Sequence, residues 1–174
     1  PLWSRGLGDV YKRQVVQRAL THPGDIVLCV DTEWRARYVD RSQHPEDDAE
    51  KVIADGDRIV RIERSISSEQ ASGEYIGVAR FSAGGARALR DYYHQARGAF
   101  SGTIWRDDAS FEKAYLIHLF QYVIEDGVDV RMVTTDGEYM EIDTEEDYAL
   151  ANVRWPQEYG CLLYTSDAAD DMQC

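Results

Sequence analysis

Cysteine, proline and positive charge are all scarce in this 174-residue chain, and each shortage removes a class of protein. Three cysteines and four prolines exclude a disulfide scaffold and a collagen-like or proline-rich low-complexity chain. No apolar run approaches the roughly 20 residues of a membrane-spanning helix, and the first residues lack the charged-then-apolar layout of a signal peptide. No membrane partner is therefore expected, and the cytoplasm is the expected compartment. The 19 basic residues face 32 acidic ones, a formal charge of −13, so a broad nucleic-acid-binding face would have to be built against that field. A carboxylate-held cation, or a small anion gripped by a few arginines, suits the balance better. What is there, 44% apolar and 11% aromatic residues, is enough to bury the core of one globular unit.

The two ends carry a different signature. Residues 4–14, SRGLGDVYKRQ, and 161–170, CLLYTSDAAD, back-translate without strain to DNA containing GATGTGTATAAGAGACA and TGTCTCTTATACACATC, which are reverse complements. Unrelated peptide ends have no reason to be encoded by complementary strings, and these resemble the adaptors of a transposon-based sequencing library read through in frame. Residues 1–14 and 161–174 are accordingly expected to be adaptor-derived and not native, with 15–160 the genuine part. The flanks hold three basic and four acidic residues, so the acidic excess belongs to the interior. Cys161 and Cys174 leave with the flanks, and Cys29 alone gives disulfide or zinc-site spacing nothing to work on.

Within 15–160, residues 25–30 (DIVLCV) form a continuous apolar run ending at Asp31, the pattern of a strand covered on both faces. The polar stretch TEWRARYVDRSQHPEDD reads as a long loop. KVIADGDRIVRIER reads as two strands about an Asp55-Gly56 turn, and EYIGVARF (74–81) as a further strand with Gly77 inside it. Ser82 is placed to cap a helix to about Gln95, and Ser110 one that stops at Gly127. VDVRMVTT, Asp136-Gly137 and EYMEID read as strand, turn and strand, and Thr144 caps a last helix, EEDYALANV. The mixture predicts an α/β fold with a mixed, mostly parallel sheet.

Glu141-Ile142-Asp143 is the most informative local pattern. In a strand, side chains two apart share a face, so both carboxylates project together, a costly arrangement unless a cation lies between them. A hard divalent cation such as Mg2+ fits, because it takes carboxylate oxygens together with substrate phosphate. Asp31, at the end of a buried strand, is a natural third ligand, although nothing local brings it to the pair. The plainer reading is that 143–147 is simply an acidic helix start. Arg35, Arg37 and Arg41 follow directly after Asp31. Their guanidinium forks suit phosphate or phosphonate oxygens, or they are surface arginines paired with neighbouring acids. Trp34 either covers a ligand or packs beneath the loop. Ser82-Ala83-Gly84-Gly85 lacks any phosphate-loop pattern and reads as a helix entry. His22, His44, His94 and His118 have no metal spacing, and His118 reads as a satisfied half-buried residue. Cys29 reads as a core thiol. Lys51 and Lys113, the only interior lysines, are each able to touch an anion but carry no motif.

In order, GDIVLCVDTEWRARY, HPEDDAEKV, RIVRIERSI, GEYIGVARFS, EKAYLIHLFQYVIEDGV and GEYMEIDTEEDYALA resemble the downstream part of nucleotidyltransferases of the phosphocholine and 2-aminoethylphosphonate cytidylyltransferase type. The likeness covers most of 22–151, and extends to the transferase domain associated with phosphoenolpyruvate mutase in phosphonate metabolism. It implies a Rossmann-like nucleotidyltransferase fold, incomplete at its N-terminus, with 15–160 as the C-terminal part of the domain. It further implies CTP as donor, Mg2+ as cofactor, a small phosphonate or phosphomonoester as acceptor, and release of pyrophosphate. By the resemblance, Asp31 matches the metal-binding aspartate that ends the central strand, and Glu141 and Asp143 match the acidic pair of the late E-I-D segment. These three are the expected catalytic and metal-holding residues, with Arg35 and Arg37 the expected substrate contacts. Such enzymes begin with a glycine-rich G-x-G-x-R loop and a nearby lysine, which 15–160 does not supply. Truncation is the expected cause, and the fragment itself is expected to be inactive. The rival readings are a sugar-1-phosphate nucleotidyltransferase and a non-catalytic acidic α/β interaction module.

Overall fold

The computed structural model describes residues 15–107, 109–137 and 141–154. Both segments expected to be adaptor-derived lie outside these residues. Chain order begins with a helix, α1 (15–21), followed by β1 (Ile26–Asp31), a short α2 (Arg35–Tyr38), β2 (Lys51–Asp55), β3 (Arg58–Ile62), β4 (Gly73–Phe81) and α3 (Ala83–Phe100). A small hairpin, β5 (Ile104–Arg106) and β6 (Ala109–Ser110), then leads to α4 (Leu116–Glu125), β7 (Val130–Thr135) and α5 (Glu145–Arg154).

The apolar run at β1 is a doubly covered strand, with all six residues buried. Its alternation feeds two cores. Ile26, Leu28 and Val30 pack with Val52, Ile59, Ile62 and Tyr75 against Ile117, Phe120 and Val123 of α4. Val27 and Cys29 face the other way, onto Val15 and Ala19 of α1. Burial pushes the Cys29 thiol up to about 11, which leaves it an inert core group.

The sheet is mixed, as expected, but it is not mostly parallel. Among the described residues β1 pairs in parallel only with β7, and its other neighbour, β4, is antiparallel. The β2–β3, β2–β4 and β3–β7 pairings are antiparallel too, and the order β1–β4–β2–β3–β7 closes on itself. The reason lies in the connections: β2 and β3 are joined by a tight turn at Gly56, whose φ is +60°, and a hairpin turn can only deliver an antiparallel neighbour. Gly77 sits where the β1–β4 register slips between Leu28 and Val30, with φ +72°, so the glycine inside this strand marks a bulge.

Three other local expectations are adjusted. The loop after Asp31 is partly helical, with α2 and a single 3-10 turn at Glu46–Asp48. The helix begun by Ser82 runs on through Gly98 to Phe100, its start capped by Ser82 Oγ accepting from the Gly85 N–H at 3.0 Å. Ser110 opens only a 3-10 turn, and α4 proper is capped at Tyr115, whose N–H donates to His118 Nδ1 at 3.1 Å. His118 is fully buried and its Nε2 lies 2.8 Å from Asp107 Oδ2, so it is satisfied. Among the described residues no helix is long and apolar enough to cross a membrane.

Candidate functional site

Asp31 ends β1 completely buried. Its Oδ1 accepts the Glu33 N–H at 2.8 Å, the local turn that aspartate favours after a strand. Among the described residues its Oδ2 has no hydrogen-bond partner, and it faces Arg37 Nε at 3.4 Å. Loss of water raises its carboxyl above the ordinary value. The Glu33 amide and then Arg37 oppose this, while the charges of Glu33 and Asp136 add to it.

Arg35 and Arg37 leave α2 in different directions. Arg37 is turned toward Asp31 and packs so closely on Gly137 that a Cβ there would collide with the guanidinium. Arg35 is half exposed, with Nε 3.9 Å from Glu46 and its guanidinium over the Trp34 ring at 5.6 Å. It borders a cleft of about 490 Å³ lined also by Thr32, Glu33, Ser68 and Glu69. Trp34 is almost wholly buried with Tyr38 and Ala49, so it packs beneath the loop.

Glu141, Ile142 and Asp143 are all exposed and are not in a strand; residues 138–140, the first part of the expected EYMEID strand, lie outside the described residues. Glu141 is raised by partial desolvation and then by the Asp143 charge, with His44 and Arg41 acting against the rise. The segment is instead the entry to α5. Thr144 Oγ1 accepts the Asp147 N–H at 3.1 Å, and Asp147 Oδ2 accepts the N–H groups of Asp143 and Thr144 at 3.1 and 3.0 Å. This is a reciprocal cap built from Thr-x-x-Asp. Arg41, the third arginine of the loop, is not available to a substrate: its Nε donates to Asp147 Oδ1 at 2.6 Å and its Nη2 to His44 Nδ1 at 2.6 Å. Burial pushes Asp147 up, but the bonds from Arg41, Thr144 and Asp143 outweigh it and hold its carboxyl below the ordinary range.

The expected trio is therefore not pre-gathered. Among the described residues the cluster of potential ligands within 4.8 Å of one another is His44, Asp143 and Asp147, not Asp31 with Glu141 and Asp143. Even that cluster is already bonded. His44 Nδ1 accepts from Arg41, so its 3.5 Å approach to Asp143 Oδ2 is proximity without a hydrogen bond. The separation has a physical cause: 141–143 does not lie in the sheet beside β1, and Arg41 ties α5 to the loop.

Sequence reading missed Glu74 and Tyr38, and offered Lys51 only as a lysine able to touch an anion. The ladder puts Asp31 opposite Glu74 and Glu74 opposite Lys51, so three charged residues share one row across β1, β4 and β2. The Tyr38 hydroxyl donates to Glu74 Oε1. Burial first, then the charges of Glu141 and Asp31, push Glu74 up to about 7 against the opposing effect of that bond. Lys51 is buried with Nζ donating to the Arg64 carbonyl at 2.9 Å. Only the strand register assembles this row, so no local sequence signal could have found it.

No protein-family profile matches the chain. Over 139 residues it is 24% identical to the CTP:phosphoglutamine cytidylyltransferase of Campylobacter jejuni, a stretch covering 79% of this chain and 53% of that protein. The chain spans about half the length of the curated relative it matches. Among solved structures, the inositol-1-phosphate CTP transferase from T. maritima is similar with a TM-score of 0.48 at 19% identity, over 81% of this chain and 49% of that one.

Proposed function

We propose that the parent protein transfers a cytidylyl group from CTP to a small phosphonate or phosphomonoester with release of pyrophosphate, in a Rossmann-like nucleotidyltransferase domain of which 15–160 is the C-terminal part. The observation that carries the reading is Asp31: a fully buried carboxylate at the end of β1 with one oxygen that, among the described residues, accepts no hydrogen bond, in a chain distantly similar to a cytidylyltransferase.

The donor chemistry suits a hard divalent cation, because Mg2+ takes carboxylate oxygens together with substrate phosphate, and Asp31 Oδ2, paired only with Arg37 at 3.4 Å, accepts no hydrogen bond among the described residues. Asp31, Glu141 and Asp143, which do not stand together here, would have to converge to hold the cation, and when bound it supplies neutralisation of the triphosphate charge. The chain's own residues do the rest. Arg37 compensates Asp31, and Arg35 presents a planar fork at the cleft that suits an incoming phosphate or phosphonate oxygen. No histidine or cysteine nucleophile is called for, since the acceptor's own oxygen attacks the α-phosphorus and pyrophosphate leaves.

The test is pyrophosphate release from CTP by the protein encoded at the complete genomic locus, offered 2-aminoethylphosphonate, phosphocholine or a sugar 1-phosphate. Release with one of the first two, lowered at least ~10-fold by Asp31→Asn, supports the reading. Release only with the sugar phosphate favours a sugar-1-phosphate nucleotidyltransferase. The 174-residue chain alone is expected to release none. A second reading, a non-catalytic acidic interaction module, draws on the mutual satisfaction of Arg41, His44 and Asp147. It predicts no release and no Mg2+ dependence.

A further inference from the structure

We propose that Tyr38, Arg41 and Asp147 are positioning residues: a buried relay that runs from the charged row of the sheet to the acidic segment before α5 and sets where Glu141 and Asp143 stand relative to Asp31. As a statement about catalysis it rests on the function proposed above; as a statement about geometry it stands alone.

The links are continuous. Glu74, the ladder partner of Asp31, accepts the Tyr38 hydroxyl. The Tyr38 ring lies under the Arg41 guanidinium, 5.2 Å from Cζ to the ring centroid, and meets His44 edge-on at 5.7 Å. Arg41 Nε donates to Asp147 Oδ1, and Asp147 Oδ2 accepts the N–H of Asp143 itself. Glu74, Tyr38, Arg41 and Asp147 are each no more than 8% exposed, so every bond works in a low dielectric where leaving one partner unpaired is costly. The same loop is tied to α5 a second time, because the Glu146 carboxylate accepts the N–H groups of Ser42 and Gln43, each at 2.7 Å.

The arrangement explains two features that otherwise have no purpose. An exposed segment, 141–143, is held by a helix cap whose capping acid is fully buried. One arginine of the loop is withdrawn from solvent while Arg35, six residues earlier, stays half exposed. In this arrangement Arg41 holds Asp147, whose other oxygen holds the Asp143 N–H, while Arg35 borders the cleft and Arg37 faces Asp31. A residue that orients the groups around a cation acts through them, and losing such a partner typically weakens metal binding 10- to 100-fold.

The test uses the full chain and Mn2+ alone as the probe, titrated calorimetrically, with amide hydrogen exchange followed by mass spectrometry. Tyr38→Phe keeps the ring beneath Arg41 and removes only the hydroxyl; Arg41→Lys keeps the charge and removes the fork. Each is expected to weaken Mn2+ binding at least ~10-fold and to speed exchange at 141–147, with β1 and α4 unchanged. The double variant should be no worse than the more severe single one, because both cut one relay. Val123→Ala, a core change in α4, should lower the melting temperature and leave Mn2+ affinity unchanged. Unaltered exchange at 141–147 in Tyr38→Phe overturns the relay. If the unmodified chain takes up no Mn2+, the functional reading fails and the exchange result still decides the relay. If Arg41→Lys does not fold, Tyr38→Phe carries the test.

Discussion

Glu74 makes the stability of this protein depend on pH in a way that can be worked out from its surroundings. It is 7% exposed, stands in the row between Asp31 and Lys51, and has its carboxyl raised from 4.5 to about 7. A carboxyl whose folded value exceeds its unfolded one holds its proton more tightly in the fold. The associated stability is fully present below the unfolded value and is lost as pH rises through the folded one. At 1.36 kcal/mol per pH unit, the whole window is worth about 3 kcal/mol, most of it between pH 5 and pH 7.5. Glu74→Gln removes the titration while its side-chain oxygen still accepts from Tyr38. Urea unfolding of both proteins at pH 5, 6, 7 and 8 should show the unmodified chain losing roughly 2 to 3 kcal/mol relative to the variant across that range. Parallel pH profiles would refute the assignment of this shift to Glu74.

Two further outcomes follow from packing. Gly73→Ala would put a Cβ 2.5 Å from Val30 Cγ1 and 2.6 Å from the Asp31 carbonyl oxygen, so a loss of about 1–3 kcal/mol in urea unfolding is expected, together with a shift of the Asp31 resonances in a carbon-detected NMR spectrum. Phe120→Ala empties the contact of a fully buried ring with Tyr75 and Phe81. It should cost about 3–5 kcal/mol in the same assay, and a cost under 1 kcal/mol would mean that α4 does not close this core.

The parts legible in the sequence are those whose cause is local. An uninterrupted apolar run makes β1 a doubly covered strand, Ser82 and Thr144 carry the oxygens that their helix starts require, and Asp55-Gly56 supplies the left-handed residue of a hairpin turn. That β1 stops at Asp31 was equally readable, because the apolar run ends at its first acid. The E-I-D segment misled for a related reason: alternation fits a strand, but the Thr-x-x-Asp cap that follows it is a stronger local constraint, and Asp143 donates its own N–H to that cap. Tertiary structure alone decided the rest. That Glu74 stands opposite Asp31, that Arg41 is withdrawn while Arg35 stays half exposed, and that Asp143 stands with His44 and Asp147 all depend on strand register and on contacts between residues up to 106 positions apart. Neighbouring residues set a strand or a cap because the interacting groups are only a few bonds apart. The partner of a buried charge is set by which chain segments share the low-dielectric interior, and that is fixed only when the whole sheet closes.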